Sequence, residues 1–520
     1  MINKIRPIYR TALGQLLLLP ALFLLMAAFI MTPAAAIDTG QEQIEVCVGG
    51  QPCKFYASTQ RFQQALDDVM AFPNHPATIT LQPGVYTHTQ PMSTVVQIAW
   101  RGEEGTCVPY TYGTTFLLEK RMAPTLIQGA TGNPADVVIL GGLPSWTNTY
   151  SNVVYGLSLN NNTGLVTISD LTIMTNGGKT ANGTGDGALN VINTNGWLTH
   201  SIIAANKTDA NPLYREWLEE EKGYKLDIDS EGVYLYGPST YFTIVHSLMG
   251  GNFHTGVMLA EDAHAWIIGS LIRGNGWFPA SWGDYNEYTG KGQGVVTLGG
   301  FTHCYRENTQ AKIWNTIIMR NSGAGILLRG HFTDTVTGIA HNTIEQNAQY
   351  GILLEVLTLD TPNISVFIAN NVVLSNSVGG ISISNSISST QGATIKLYNN
   401  SSSGHPADKN YLPPGLEGVV GYTERSANLS PADPRVHPET FRLLPGSPLA
   451  AAGWGAPPPD ISSYDRVNLK HYAFHEETLG LWCGLHSALH KVDPTYQNPC
   501  LTHQLYLPLS LKTLSAAVRH

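Results

Sequence analysis

Between residues 172 and 384 the apolar positions fall into two short recurring phrases, neither with the spacing of a helix face. In the first, two largely apolar residues and two variable ones are followed by an Asn. It ends at Asn176 (TIMTN), Asn206 (IIAAN), Asn252 (LMGGN), Asn275 (LIRGN), Asn321 (IIMRN), Asn347 (TIEQN) and Asn376 (VVLSN). Successive intervals are 30, 46, 23, 46, 26 and 29 residues. Four of these match one coil of a solenoid, about 20–30 residues, and the two long ones read as a coil plus an inserted loop. In the second phrase a Gly precedes alternating apolar positions, as in Gly232–Tyr236 (GVYLY), Gly256–Ala260 (GVMLA), Gly294–Leu298 (GVVTL), Gly325–Arg329 (GILLR), Gly351–Glu355 (GILLE) and Gly380–Ser384 (GISIS). A period of two sends the first and third residues after each Gly into the solenoid and the second and fourth outward. Gly is expected to supply a positive φ before each strand, and the Asn residues to adopt left-handed geometry and stack, satisfying buried turn groups.

The ends of such a stack need covers. Phe62, Ala65, Leu66, Val69 and Met70 have helical spacing, so a helix over 58–72, capped by Ser58 or Thr59, is expected to plug the first coil. Winding starts with a strand at Thr78–Leu81 and a turn at Pro83-Gly84. The repeat stops near Gly404, which divides the chain into a coil body at 37–404 and an irregular tail at 405–520. Insertions are placed at 209–230, with a short helix near Pro212, Leu213, Trp217 and Leu218, and at 277–291. The fold class is all-β, a right-handed parallel β-helix.

Composition sharpens the setting. Lys4, Arg6 and Arg10 precede an apolar run from Leu16 to Met31 and small residues at Ala34–Ala36, the layout of a secretory signal over 1–36. No later segment is apolar enough to span a membrane. Six cysteines in an exported chain imply disulfides, with Cys47–Cys53 and Cys483–Cys500 expected from proximity and Cys107–Cys304 left over. The net charge is −9, and loss of the signal makes it three units more negative. Such a chain has no general electrostatic reason to bind nucleic acid or an anionic membrane, and a site for an acidic glycan would need a local basic patch.

Phe62, Ala65 and Leu66, followed by Thr78–Tyr86 (TITLQPGVY), resemble the opening of pectin-lyase-like β-helix proteins. Asp433-Pro434, then Phe441–Pro448 (FRLLPGSP) and Gly453, resemble the closing segment of many secreted bacterial β-helix proteins. The resemblance spans roughly 55–466 and implies the fold. Its members include polysaccharide lyases, glycoside hydrolases, epimerases and proteins without known chemistry, so it leaves the activity open. The paired aspartates of polygalacturonases and the calcium pattern of pectate lyases are not apparent. Some β-helix glycosidases carry Gly-Ile-x-x-Asp on one coil and Gly-Ile-x-x-Glu on the next. Gly351–Glu355 matches the second, whereas Gly325–Arg329 departs from the first by Arg for Asp.

Arg329 and Glu355 occupy equivalent outward positions on successive coils, spaced at about 4.8 Å, and should touch. They are read either as an anion-binding Arg beside an acid or base, or as a surface ion pair worth ~0–1 kcal/mol. The 277–291 insertion carries Trp277, Trp282, Tyr285 and Tyr288, whose rings can stack on sugars, and Asp284 and Glu287 as an acid and base. The alternative is that these rings pin the loop. His303, Tyr305, Arg306 and Lys291 offer the base and cation that elimination beside a carboxylate requires, or an ordinary polar turn. Asp227, Asp229 and Glu231 alternate and could hold calcium, or form a solvated acidic turn. His471 with His475, and His486 with His490, have metal-pair spacing without a complete signature.

Three functional classes follow. The first is a secreted or cell-surface enzyme acting on an extracellular glycan between the insertions, with hydrolysis slightly favoured over elimination because lyases usually act on acidic polymers. The second is a non-catalytic surface or envelope protein, and the third a metal-handling protein using the tail histidines. Convergence of acidic and basic groups near the insertions separates the first from the second.

Overall fold

In the computed structural model the described residues are 42–88, 92–101, 107–142, 154–177, 186–211, 230–276, 292–298, 309–331, 336–358, 365–383, 394–398, 400–406, 411–412, 422–426 and 476–500. Their strands stack into three parallel-stranded faces, termed A, B and C in the order the chain visits them after the first coil. They hold 13, 10 and 11 strands among the described residues, with antiparallel pairing confined to the N-terminal strands. The inward column of face A is a ladder of branched residues in register, Ile79, Ile127, Ile168, Leu198, Ile244, Ile267, Ile313, Ile339, Ile368 and Leu397. On face C the residues one and three after each phrase glycine, such as Val233, Leu235, Ile352 and Leu354, lie in the same core, as the period of two requires.

The turns correct two expectations. Gly232, Gly256, Gly294, Gly325 and Gly351 are not among the positive-φ residues. They are glycines because of crowding: a Cβ on Gly232 would lie 2.6 Å from Asn252 Nδ2 and 2.6 Å from Gly256 O. The Asn ladder and the next coil occupy the space a side chain would need. Left-handed geometry falls instead on the residue before each upper ladder Asn, namely Gly251, Gly274, Arg320, Gln346 and Ser375. The stacked Asn side chains are present and satisfy turn amides: Asn275 N and Nδ2 both donate to Asn321 Oδ1, at 3.1 and 2.9 Å.

The first coil is plugged by α1 (Phe62–Met70), preceded by a 3₁₀ turn over Thr59–Arg61 that Ser58 caps. Phe62, Ala65, Leu66 and Val69 are buried, and Phe62 meets Phe116 and Tyr86 edge to face. Gln63 ties α1 to the strand Cys107–Glu119 of face C by exchanging hydrogen bonds with the Leu117 backbone at 2.8 and 3.1 Å. The fully buried Arg121 donates to Val69 O, Phe72 O and His75 O, adding a side-chain donor to the turn that follows α1.

The winding continues past Gly404: Tyr411–Leu412 and Tyr422–Ser426 pair with the coil before them. These strands lack the Gly-apolar phrase, which is why the pattern stopped short of them. The tail is also not wholly irregular. Helix α2 (Glu476–Val492) lays Leu481, Leu485, Ala488 and Leu489 on the outward apolar row of face B, from Val138 through Leu271 to Met319. Arg273 sits over the Trp482 ring at 4.2 Å, and Lys491 pairs with Asp136 at 2.7 Å. Cys483–Cys500 ties the helix to the segment after it, and Cys47–Cys53 closes the N-terminal hairpin. Cys304 and the side chain of Cys107 lie outside the described residues. No described helix is long and apolar enough to cross a membrane.

Candidate functional site on face C

The connections between faces are unequal. From Ser169 onward every A-to-B connection is a two-residue turn. From Ser169 onward the longer connections between described strands enter or leave face C: 178–185, 212–229 and 277–291 precede its strands, as 143–153 does one coil earlier, and 299–308, 359–364 and 384–393 follow them. Loops carried on a rigid stack concentrate function at the face they border.

The outward residues of face C are largely buried, contrary to a simple outward-equals-exposed reading. Ser158 and Asn190, on adjacent strands and in register, are both 0% exposed. Ser158 Oγ and both amide atoms of Asn190 have no hydrogen-bond partner. Asn190 is in register with Tyr234, whose ring lies parallel to that of Tyr155 with centroids 6.3 Å apart, and Tyr236 lies 5.9 Å from Tyr234. Higher on the face, Val296, Ala324 and Leu327 form an apolar cluster with Leu353 against it.

Acid–base groups gather at the B-to-C corner, where 212–229 departs. Glu231 Oε1 lies 3.9 Å from His254 Nδ1, both nearly buried, and His254 Nδ1 lies 3.1 Å from Thr255 Oγ1. Lys207 is buried in the same corner, donates to Asn252 O at 3.2 Å, and lies over the Phe253 ring at 5.5 Å. Burial pulls its ammonium down to about 7, so near neutral pH it can act as a base. Its position follows from the ladder. Below it the amides point backward, with Asn206 Nδ2 donating to Asn176 Oδ1 at 2.8 Å; above it they point forward, with Asn252 Nδ2 donating to Asn275 Oδ1 at 2.8 Å. At the reversal two acceptor ends face the gap. Thr208 supplies a hydroxyl to Asn206 Oδ1, Asn252 Oδ1 accepts nothing, and Lys207 stands beside them.

Of the residues expected from the sequence, Arg329 and Glu355 are in register and pair at 3.4 Å, at 51% and 35% side-chain exposure. They form an open ion pair. Glu231 is described; Asp227 and Asp229 lie outside the described residues, as do Trp277, Trp282, Asp284, Tyr285, Glu287, Tyr288, Lys291, His303, Tyr305, Arg306, His471 and His475. His486 is stacked on Tyr496 and lies 2.7 Å from its hydroxyl, and burial holds its ring near a pKa of about 4; His490 bonds Tyr496 O. Both brace the tail. The one group of three metal-type ligands among the described residues, Glu45, Cys47 and Cys53, has both sulfurs in a disulfide. Lys207, His254, Asn190 and Ser158 were missed by sequence reasoning. The 46-residue interval after Asn206 was the available signal for Lys207.

Comparison with known proteins matches residues 224–402 to the family described as right handed beta helix region. Among solved structures, the Dettilon tailspike protein is 12% identical over 60% of this chain and 50% of its own, with a TM-score of 0.33. This chain thus spans half the tailspike's length. A double mutant of the periplasmic alginate epimerase AlgG is 12% identical over 75% and 92%, at 0.25. The A-module of the Azotobacter vinelandii mannuronan C-5 epimerase AlgE4 is 14% identical over 71% and 94%, at 0.26. No curated protein matches the chain.

Proposed function

We propose that this right-handed parallel β-helix acts on an extracellular polysaccharide held along face C. The observation that carries the reading is the Asn190–Ser158 pair: polar groups turned away from the coil core, buried, and without partners. An unsatisfied buried polar group costs about 1–3 kcal/mol. A hydroxyl admitted to this position would satisfy it, and the partly exposed Tyr234 ring, stacked on the buried Tyr155, borders it. Lys207, Glu231 and His254 are acid–base groups at the B-to-C corner that borders this face. Glu231 and Glu355 stand four coils apart, about 19 Å at the parallel-strand spacing, too far to work as a glycosidase pair. Hydrolysis therefore depends on Asp284 or Glu287. The described residues favour proton abstraction beside a carboxylate, with Lys207 as base and His254 as the acid toward the leaving oxygen. This reverses the slight preference for hydrolysis drawn from net charge, because one buried amine outweighs a chain average.

The test is incubation of the purified protein with neutral and acidic polysaccharides, following reducing ends and unsaturated-uronate absorbance together. Elimination produces both signals, and Lys207→Met removes them. Reducing ends alone, insensitive to Lys207→Met, would move the chemistry to Asp284 and Glu287. Binding without turnover, weakened by Asn190→Ala, would support the non-catalytic surface-protein reading.

A further inference from the structure

The tail touches the chain on both sides of Lys207. Before it, α2 packs Leu485 and its apolar neighbours on Ile202 and Ala204, in the strand Ile202–Ala205. After it comes the turn 208–211, closed by Asn211 N donating to Thr208 O at 3.0 Å. The coil holds this turn at one end: Thr208 Oγ1 donates to Asn206 Oδ1, and Asn211 Nδ2 donates to Asn176 O and Asn206 O. The tail holds it through Asp493 Oδ2, which accepts from Ala210 N at 3.2 Å. Asp493 is buried and stands just past the C-terminus of α2, the end of a helix dipole that disfavours a carboxylate. Its two oxygens have different partners. Oδ1 accepts from Thr495 N and Oγ1 at 2.9 and 2.6 Å, a local turn of the kind Asp commonly makes. Oδ2 reaches a turn 283 residues away in the chain. The carboxylate is itself fixed. The segment 493–500 is folded back on α2 by Cys483–Cys500, by Asn498 Nδ2 donating to Ser487 Oγ, and by His486 beside the Tyr496 hydroxyl.

We propose that Asp493 is a positioning residue for the Lys207 corner: the clasp formed by α2 and 493–500 fixes the turn that follows Lys207 and so keeps its amine away from water. A buried amine stays dehydrated only while the chain on both sides of it is held. On the coil side Lys207 donates to Asn252 O, and the strand before it lies under α2. The part left to move is the turn. Ala210 is exposed, so without Asp493 its N–H turns to water and the turn is tied at the coil end alone. Docking of the helix does not require this bond. α2 is already held by its apolar side, by Arg273 over the Trp482 ring and by Lys491 on Asp136. The second oxygen of Asp493 therefore serves the corner rather than the helix. The inference rests on the reading of Lys207 as a base for its meaning in a reaction, but the positioning itself is measured without substrate.

Two measurements on the full chain test it: hydrogen exchange read by peptide mass spectrometry, and urea unfolding between about pH 7.5 and 10. Asp493→Ala speeds exchange of the Ala210 and Asn211 amides roughly tenfold or more. Water then reaches Lys207, the folded amine regains its proton, and the rise of stability with pH across this window flattens. Asp493 does not itself titrate there. Burial raises its carboxyl, but hydrogen bonds from Thr495 and Ala210 outweigh that and hold it below the usual carboxylate range. Leu485→Ala is the comparison. It loosens α2 on face B without touching Ala210, so it lowers stability at every pH and leaves the slope unchanged. If Asp493→Ala does not fold, the isosteric Asp493→Asn, which loses the charge and one acceptor oxygen, moves both readouts the same way by less. Unchanged exchange in a folded Asp493 variant, equal acceleration in Leu485→Ala, or faster exchange with the slope intact would each overturn the proposal. The last would make Asp493 a brace of the tail alone. Absence of turnover on polysaccharides would sink the proposed reaction and leave both of these readouts standing.

Discussion

Two long insertions leave the same corner of the coil, and the hydrogen-bond ladder beneath them behaves differently. Across 277–291 the ladder is intact: Asn275 still donates to Asn321 Oδ1, and Gly292 N returns to Ser322 Oγ at 3.1 Å. Across 212–229 it is not. Asn206 turns back to Asn176, Asn211 donates to Asn176 O and Asn206 O, and the tail's Asp493 accepts from Ala210 N at 3.2 Å. The coil can thus carry added chain without losing the ladder. Where the ladder reverses, the gap is filled by a buried lysine beside Glu231 and His254. The reversal, rather than insertion as such, marks the corner where this stack buries an amine, a carboxyl and an imidazole.

The largest effect is expected in the continuous run. Asn321→Ala strips the acceptor from two Asn275 donors and removes the donors to Ile272 O and Asn347 Oδ1. It should cost about 2–5 kcal/mol in urea unfolding. Asn252→Ala should cost less, since Asn252 Oδ1 accepts nothing, and equal costs would break the comparison. Next is Lys207→Met. The Lys207 amine is held at about 7 when folded, against 10.5 as its ordinary value. Between those pH values the unfolded chain binds the proton and the folded one does not, so wild-type stability rises with pH through this window. Lys207→Met should flatten that rise while raising stability at pH 6, read from melting temperatures across pH. An unchanged slope would mean that the amine is not the group titrating. The smallest effect belongs to Arg329 and Glu355: a double-mutant cycle should return ~0–1 kcal/mol, as for other exposed pairs. A coupling well above that would restore the pair as a site.

Legibility followed periodicity. The Gly-apolar phrases of Val233–Tyr236 and Ile352–Glu355 announced strands because a period of two is imposed by the backbone, and Arg329 was placed beside Glu355 because one coil stacks on the next. The glycines were read for the wrong reason. Gly232 looked like a turn residue, but its constraint comes from Asn252 one coil later, a contact that exists only after stacking. Asn190 and Ser158 drew no attention in the sequence, since burial of an outward face is not written in the strand that bears it.

The sequence alone determined the solenoid, its N-terminal plug and the two disulfides seen here, because each rests on local spacing: alternation along a strand, a helical stripe at Phe62–Val69, and cysteines close along the chain. Tertiary structure alone decided that α2 lies on face B, that Lys207 is buried at a ladder reversal, and that Trp197 and Trp266 share one outward column of face A. These depend on which coil sits above which and on what covers each face, and neither has a period along the chain.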